Sequence, residues 1–115
     1  MGTIVAGMTS IGIEVAAALA DRGRELTVID SDKSRLRKAE ERLDAMLMEA
    51  DEATMDTLRR VRADSADLVV FATPVDERNL FGAAAARKMG AKRSLAMVRN
   101  VGHLEGAPGI ARDLH

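Results

Sequence analysis

The sequence predicts an α/β domain, a doubly wound parallel sheet with strand order 3-2-1-4-5. Three observations predict it. Short, nearly continuous apolar runs recur along the chain, charged segments of helical period separate them, and a glycine-bounded loop, "GMTSIG" (7–12), joins the first run to the first helix. Runs of about four to eight apolar residues suit strands buried on both faces, and strict alternation with helices makes such strands parallel. Right-handed crossovers then leave the order 3-2-1-4-5, if the first crossover carries a nucleotide loop.

The first strand is "TIVAG" (3–7). After the loop, Ile11, Val15, Ala18 and Leu19 form one helical stripe, and Gly23 supplies a stop. "ELTVID" (25–30) is the second strand. Ser31 or Asp32 then caps a highly charged helix with a stripe of Leu36, Ala39 and Leu43. "DAMLMEA" (44–50) is the third strand, although Met and Leu favour strand no more than helix. Leu58 and Val61 mark a short third helix before the fourth strand, "ADLVVFAT" (66–73). Asp76 is the expected cap of a fourth helix running through Leu80 and Ala83–Ala86 to Gly90, followed by the fifth strand, "RSLAMVR" (93–99). Gly106, Pro108 and Gly109 interrupt the remaining segment, so only 110–115 reads as helix. The whole of 1–115 reads as one domain, long enough to bury a core.

Composition removes several function classes. Lys+Arg total 17 against Asp+Glu 18, so no basic excess points to nucleic acid or an anionic membrane surface. Aromatics are 2%, which leaves no platform for stacking bases. The chain has no cysteine, which excludes disulfides, thiolate metal sites and cysteine nucleophiles. His103 and His115 have no ligand spacing and read as solvated. No run approaches the roughly 20 apolar residues of a membrane span, and the amino terminus does not read as a signal peptide. The expected compartment is the cytoplasm.

The loop carries the chemistry. In a phosphate loop a strand ends, the chain turns tightly, and a helix opens with free N–H groups and its positive dipole end toward a pyrophosphate. Gly7 makes the turn and Gly12 lets helix and strand pack closely, with Met8, Thr9, Ser10 and Ile11 between them. The dinucleotide fingerprint has a middle glycine where this chain has Thr9. That side chain either crowds a ligand or donates its hydroxyl to a phosphate oxygen, as Ser10 can. Asp30 ends the second strand 18 residues after Gly12, near the spacing of about 20 at which an acid accepts ribose hydroxyls and repels a 2′-phosphate. The alternative for Asp30 is a helix N-cap or turn residue of the "DSD" cluster, and the spacing favours the ribose reading over it. These features make the fold Rossmann-like and favour NAD over NADP. A second polar set, including Asp51, Thr73-Pro74 and Arg99, falls at the carboxyl ends of strands three, four and five. Ligands of open α/β sheets bind at that edge, although strand-to-helix loops are polar in any case.

The segments "IVAGMTSIG", "LTVIDSD", "LDAMLMEAD", "ADLVVFATPVDERNL" and "ARKMGAKRSLAMVRN" span nearly the whole chain in order. In them the chain resembles the amino-terminal nucleotide-binding domain of TrkA-type potassium-uptake regulators, also called RCK or KTN domains. The resemblance implies a non-catalytic, homo-oligomeric regulatory domain. Such a domain binds NAD, NADH or another adenine nucleotide (ATP or ADP) and switches a potassium-transporter or channel subunit from the cytoplasmic side of the membrane. Carried over, Gly7–Gly12 meets the phosphates, Asp30 the ribose, Asp51 the adenine, Thr73 the phosphate–ribose edge and Arg99 the far side of the nucleotide. Ser31, Glu52 and Pro74, next to these in the chain, are further candidate cofactor-binding residues. Thr9, Ala50 and Pro74 stand where the family usually has glycine, glycine and a small flexible residue. The resemblance also implies a domain of a larger protein, here without a following ligand-sensing domain. Two other readings are a Rossmann assembly domain without ligand and a fragment of an NAD-dependent oxidoreductase. The latter needs a second substrate-binding region and a positioned acid or base.

Overall fold

The computed structural model describes residues 2–20, 22 and 25–100. Strands β1 (Thr3–Ala6), β2 (Leu26–Asp30), β3 (Met46–Glu49), β4 (Leu68–Phe71) and β5 (Ser94–Ala96) alternate with helices α1 (Ser10–Ala20), α2 (Lys33–Arg42), α3 (Met55–Arg60) and α4 (Asp76–Met89). All strand pairs are parallel, in the order β3-β2-β1-β4-β5. The predicted fold class and strand order are those of the structure.

The central strand decides the layers. Val5 lies in register with Val28 on one side and Val70 on the other, and Ala6 with Ile29 and Phe71. Successive strand residues face opposite sides. Ile4, Ala6, Ile29, Val69 and Phe71 therefore join one cluster, sealed by Leu58 of α3 and Ala83 and Ala86 of α4. Val5, Val28 and Val70 join the other, sealed by Ile13 and Ala16 of α1 and Ala39 and Leu43 of α2. Each large apolar side chain so buried contributes about 1.5–3 kcal/mol.

Local chemistry sets the helix ends. Asp32 caps α2, accepting from Ser34 N–H at 2.8 Å and Arg35 N–H at 3.4 Å, which selects between the two expected caps. Thr54 caps α3 by accepting from Thr57 N–H. α4 differs from expectation. Val75 holds its cap position without a side-chain bond, and Asp76 is the first helical residue. The Asp76 carboxylate is spent elsewhere, on the N–H groups of Arg99 (3.0 Å) and Asn100 (2.9 Å). A 3-10 turn at Ala63–Ser65, which no periodicity announced, leads into β4. Every strand is shorter than its apolar run by one to four residues. The trimmed positions serve the loops: Ala72 N–H, for example, still bonds Ala6 O at 2.7 Å. The expected helix at 110–115, the stop at Gly23, His103 and His115 lie outside the described residues.

α4 approaches β4 so closely that a Cβ added at Gly82 would overlap the Phe71 ring. Overpacking of a filled core costs about 1–3 kcal/mol, so Gly82→Ala lowers the urea unfolding midpoint correspondingly. An unchanged midpoint would contradict this helix–sheet approach.

Candidate functional site

The site grows from the end of β1. Gly7 turns the chain at φ +105, and a Cβ there would strike the backbone of Ala72 and Thr73. A Cβ at Gly12 would overlap the Gly7 carbonyl. Both positions therefore require glycine, as the loop pattern anticipated. Met8 is buried and packs with Val5 and Ile13, so its main chain rather than its side chain is available to the loop. Ser10 and Ile11 are exposed at the start of α1.

Thr9 has a definite task. Its hydroxyl donates to Ala72 O at 2.8 Å and accepts from Gly12 N–H at 3.2 Å. It is the cap of α1 and a tie to the end of β4. The hydroxyl proton is thus committed to a protein carbonyl rather than held free for a phosphate. The N–H groups of Ser10 and Ile11, in the first turn, are those an intrahelical ladder leaves over.

Asp30 is completely buried. It accepts from Met8 N–H at 2.7 Å and Asp32 N–H at 2.8 Å, with Arg35 Nη1 3.7 Å away. It lies behind the surface and fastens the loop to the end of β2.

In front of it, at the carboxyl ends of β2, β3 and β4, is a cavity of about 290 Å³ lined by Ser31, Arg35, Asp51, Glu52, Thr73, Pro74, Val75 and Arg78. Five of the sequence-selected residues meet there: Ser31, Asp51, Glu52, Thr73 and Pro74. Arg35, Val75 and Arg78 were not selected. Arg35 and Arg78 each sit in the first turn of a helix that starts at this edge, but 17 Lys+Arg in the sequence hide that signal. Arg99 is not on the cavity wall. Its Nη1 donates to Thr73 O at 3.0 Å, behind the wall. A wider groove of about 400 Å³ between α1 and α2 is lined by Ser10, Ile13, Glu14, Lys38, Glu41 and Arg42, away from these strand ends.

The cavity mixes both signs of charge. Arg78 is hydrogen-bonded to Asp51 and lies 3.7 Å from Glu52 Oε1. Burial works against the charged form of Asp51, but the Ala53 N–H and the Arg78 guanidinium together hold its carboxyl below the usual aspartate range. Glu52 is 4% exposed and accepts from Ser31 N–H at 3.3 Å. Burial, with the neighbouring Asp30, pushes its carboxyl above the usual glutamate range. Among the described residues no group of His, Asp or Glu is arranged to hold a metal ion, and no helix is long and apolar enough to cross a membrane.

Two outcomes follow. Glu52 is raised in the folded state, so its contribution to stability is most favourable below the ordinary value near 4.5 and declines as pH rises through the raised one. Glu52→Gln removes that decline: relative to the unaltered chain, the variant gains stability between pH 4 and pH 7 in urea titrations at about those values. Thr9→Val loses the cap and costs about 1 kcal/mol in the same assay, whereas Thr9→Ser retains most of it.

With this geometry in view, the relatives are informative. Residues 3–108 match the family model of the TrkA-N domain. A Trk system potassium uptake protein TrkA homolog of Archaeoglobus fulgidus is 33% identical over 100 residues, covering 87% of this chain and 22% of the relative. A homolog of the same name from Methanothermobacter thermautotrophicus is 26% identical over 113 residues, covering 98% of this chain and 52% of the relative. The chain thus spans between about a fifth and a half of these relatives. Among solved structures, the NAD(P)-binding domain of an exopolyphosphatase-related protein from Archaeoglobus fulgidus superposes with a TM-score of 0.78 at 18% identity, covering 98% of this chain and 82% of that one, a likeness of fold. The sequence motifs, the 3-2-1-4-5 sheet and the family match agree: the chain belongs to the TrkA-N domain family.

Proposed function

We propose that this chain is a regulatory nucleotide-binding domain of a potassium-uptake system, with NAD or NADH as its ligand and ATP or ADP as the alternative adenine nucleotides. The observation that carries the reading is the cavity at the carboxyl edge of the sheet, beside the point where strand order reverses between β1 and β4. Crevices at such points take ligands in open α/β sheets. The Gly7–Gly12 loop is tied to that edge twice, by Met8 N–H to Asp30 and by the Thr9 hydroxyl to Ala72 O. Phosphates would meet the first turn of α1, where Ser10 and Ile11 offer N–H groups. The ribose and base would occupy the cavity, with Ser31, Glu52, Asp51, Thr73 and Pro74 around them.

In this reading the ribose acceptor is Glu52, which lines the cavity, and Asp30, with no exposed surface, holds the loop from behind. The domain works by ligand-dependent shift between conformations, in a homo-oligomer on the cytoplasmic side of a potassium-transporting membrane subunit. The name of the curated relatives supports the transport system. A regulatory rather than catalytic role is supported by the cavity's charged groups being engaged with one another or with backbone: Asp51 with Arg78, and Glu52 with Ser31 N–H.

Titration calorimetry with NADH, NAD, ATP and ADP tests this. At least one of them binds with one site per chain, and Glu52→Ala weakens it by about tenfold or more, the value of a hydrogen bond to a charged group. Asp30→Ala abolishes binding by freeing the loop. Failure of all four nucleotides to bind would overturn the reading and leave an assembly domain without ligand.

A further inference from the structure

Half of the cavity wall comes from one short stretch, Thr73 to Val75 with Arg78, at the junction of β4 and α4. What holds this stretch reaches away from the cavity. Asn79 is completely buried. Its Oδ1 accepts from Thr73 N–H at 2.9 Å and from the Thr73 hydroxyl at 2.7 Å, while Nδ2 donates to Thr73 O at 3.0 Å and to Met97 O at 2.9 Å. One amide therefore clamps a cavity residue and the residue just past β5. Asp76, 6% exposed, accepts from Arg99 N–H and Asn100 N–H. Arg99 closes the circuit by donating from Nη1 to Thr73 O.

The position of these bonds matters as much as their number. The β4–β5 ladder pairs Phe71 with Ala96 and finishes at Met97 N–H, which bonds Phe71 O at 2.9 Å. Past that residue the chain is carried by side chains of α4 and by Thr73, not by sheet pairing with β4. Its path depends on where the first turn of α4 sits. That same turn bears Arg78, whose guanidinium reaches across to Asp51 at the far side of the cavity. A ligand in the cavity would meet Thr73–Val75 and compete for Arg78, and both lie on or beside the turn that holds residues 99 and 100.

We infer that Asp76 and Asn79 are positioning residues that make the chain leaving β5, residues 97–100, respond to occupancy of the cavity. The inference rests on the nucleotide reading of that cavity and adds the route by which binding leaves it. Buried polar networks suit this task, because a fully satisfied network moves as a unit or breaks at a cost. By linkage, a ligand that fixes Thr73–Val75 must also suppress local opening at residues 99 and 100.

Amide hydrogen exchange of the 115-residue chain, read residue by residue by NMR with NADH and separately with ADP as probe, tests it. A bound probe slows exchange at Arg99 and Asn100 by about tenfold, the scale set by one charge-assisted hydrogen bond. Asp76→Asn, nearly isosteric, still binds the probe in calorimetry but loses most of that slowing. A purely structural Asp76 would leave the slowing intact, and that result overturns the inference. So does a probe that binds while exchange at Arg99 and Asn100 in the unaltered chain stays the same. That measurement needs no variant, so it decides even if Asp76→Asn folds poorly. Where neither probe binds, whichever of NAD or ATP binds in calorimetry takes its place. Failure of all four nucleotides overturns the nucleotide reading together with this inference, and calorimetry identifies that case separately.

Discussion

A single buried carboxylate organises the domain. Asp30 ends β2 with no exposed surface, and burying a carboxylate is costly unless its oxygens are hydrogen-bonded. Both oxygens are engaged: one takes Met8 N–H from the β1–α1 loop, the other Asp32 N–H from the following turn. The first bond fixes where the chain crosses after β1, and hence where α1 starts. The second leaves the Asp32 side chain free to cap α2. One group thus sets the entry of two helices on the same face of the sheet.

The opposite face depends on close approach. Gly82 admits the Phe71 ring, and Ala83 and Ala86 continue the small surface that lets α4 settle on β4. Ser94 Oγ donates to Ala83 O at 2.8 Å, which brings β5 to the same helix. The first turn of α4 then holds Thr73 through Asn79 and the end of β5 through Asp76. Core packing and site geometry share one element, so the loop that walls the cavity and the residues that follow β5 are held by the same turn of α4.

The charges facing the cavity do different work. The Arg78–Asp51 pair is roughly half exposed on both sides, and such pairs add little stability in water. Glu52 is buried at some cost, which its bond with Ser31 N–H and the nearby Arg78 only partly offset, since its carboxyl still stands above the usual range. A costly carboxylate on a cavity wall suits recognition better than stability.

Much of this was legible in the sequence because it depends on period and spacing. Apolar runs separated by charged helical stripes suffice for a parallel sheet, and "GMTSIG" after the first run suffices for its central crossover. Gly7 and Gly12 were readable because close backbone approach excludes every other residue type. Five cavity residues were readable because strand ends in this fold converge on one edge. What only the tertiary structure decided concerns where polar side chains spend their hydrogen bonds. Thr9 caps α1 and ties to Ala72 O, Asp30 turns inward to Met8, Asp76 leaves its cap position for Arg99 and Asn100, and Arg78 crosses to Asp51. Apart from the cap of α1, where Thr9 meets Gly12 three residues on, those partners lie between 22 and 63 residues apart along the chain, beyond the reach of any local pattern. Apolar burial follows periodicity, because any neighbour of suitable size serves. A polar group needs one particular partner at one particular distance, and only the folded chain supplies it.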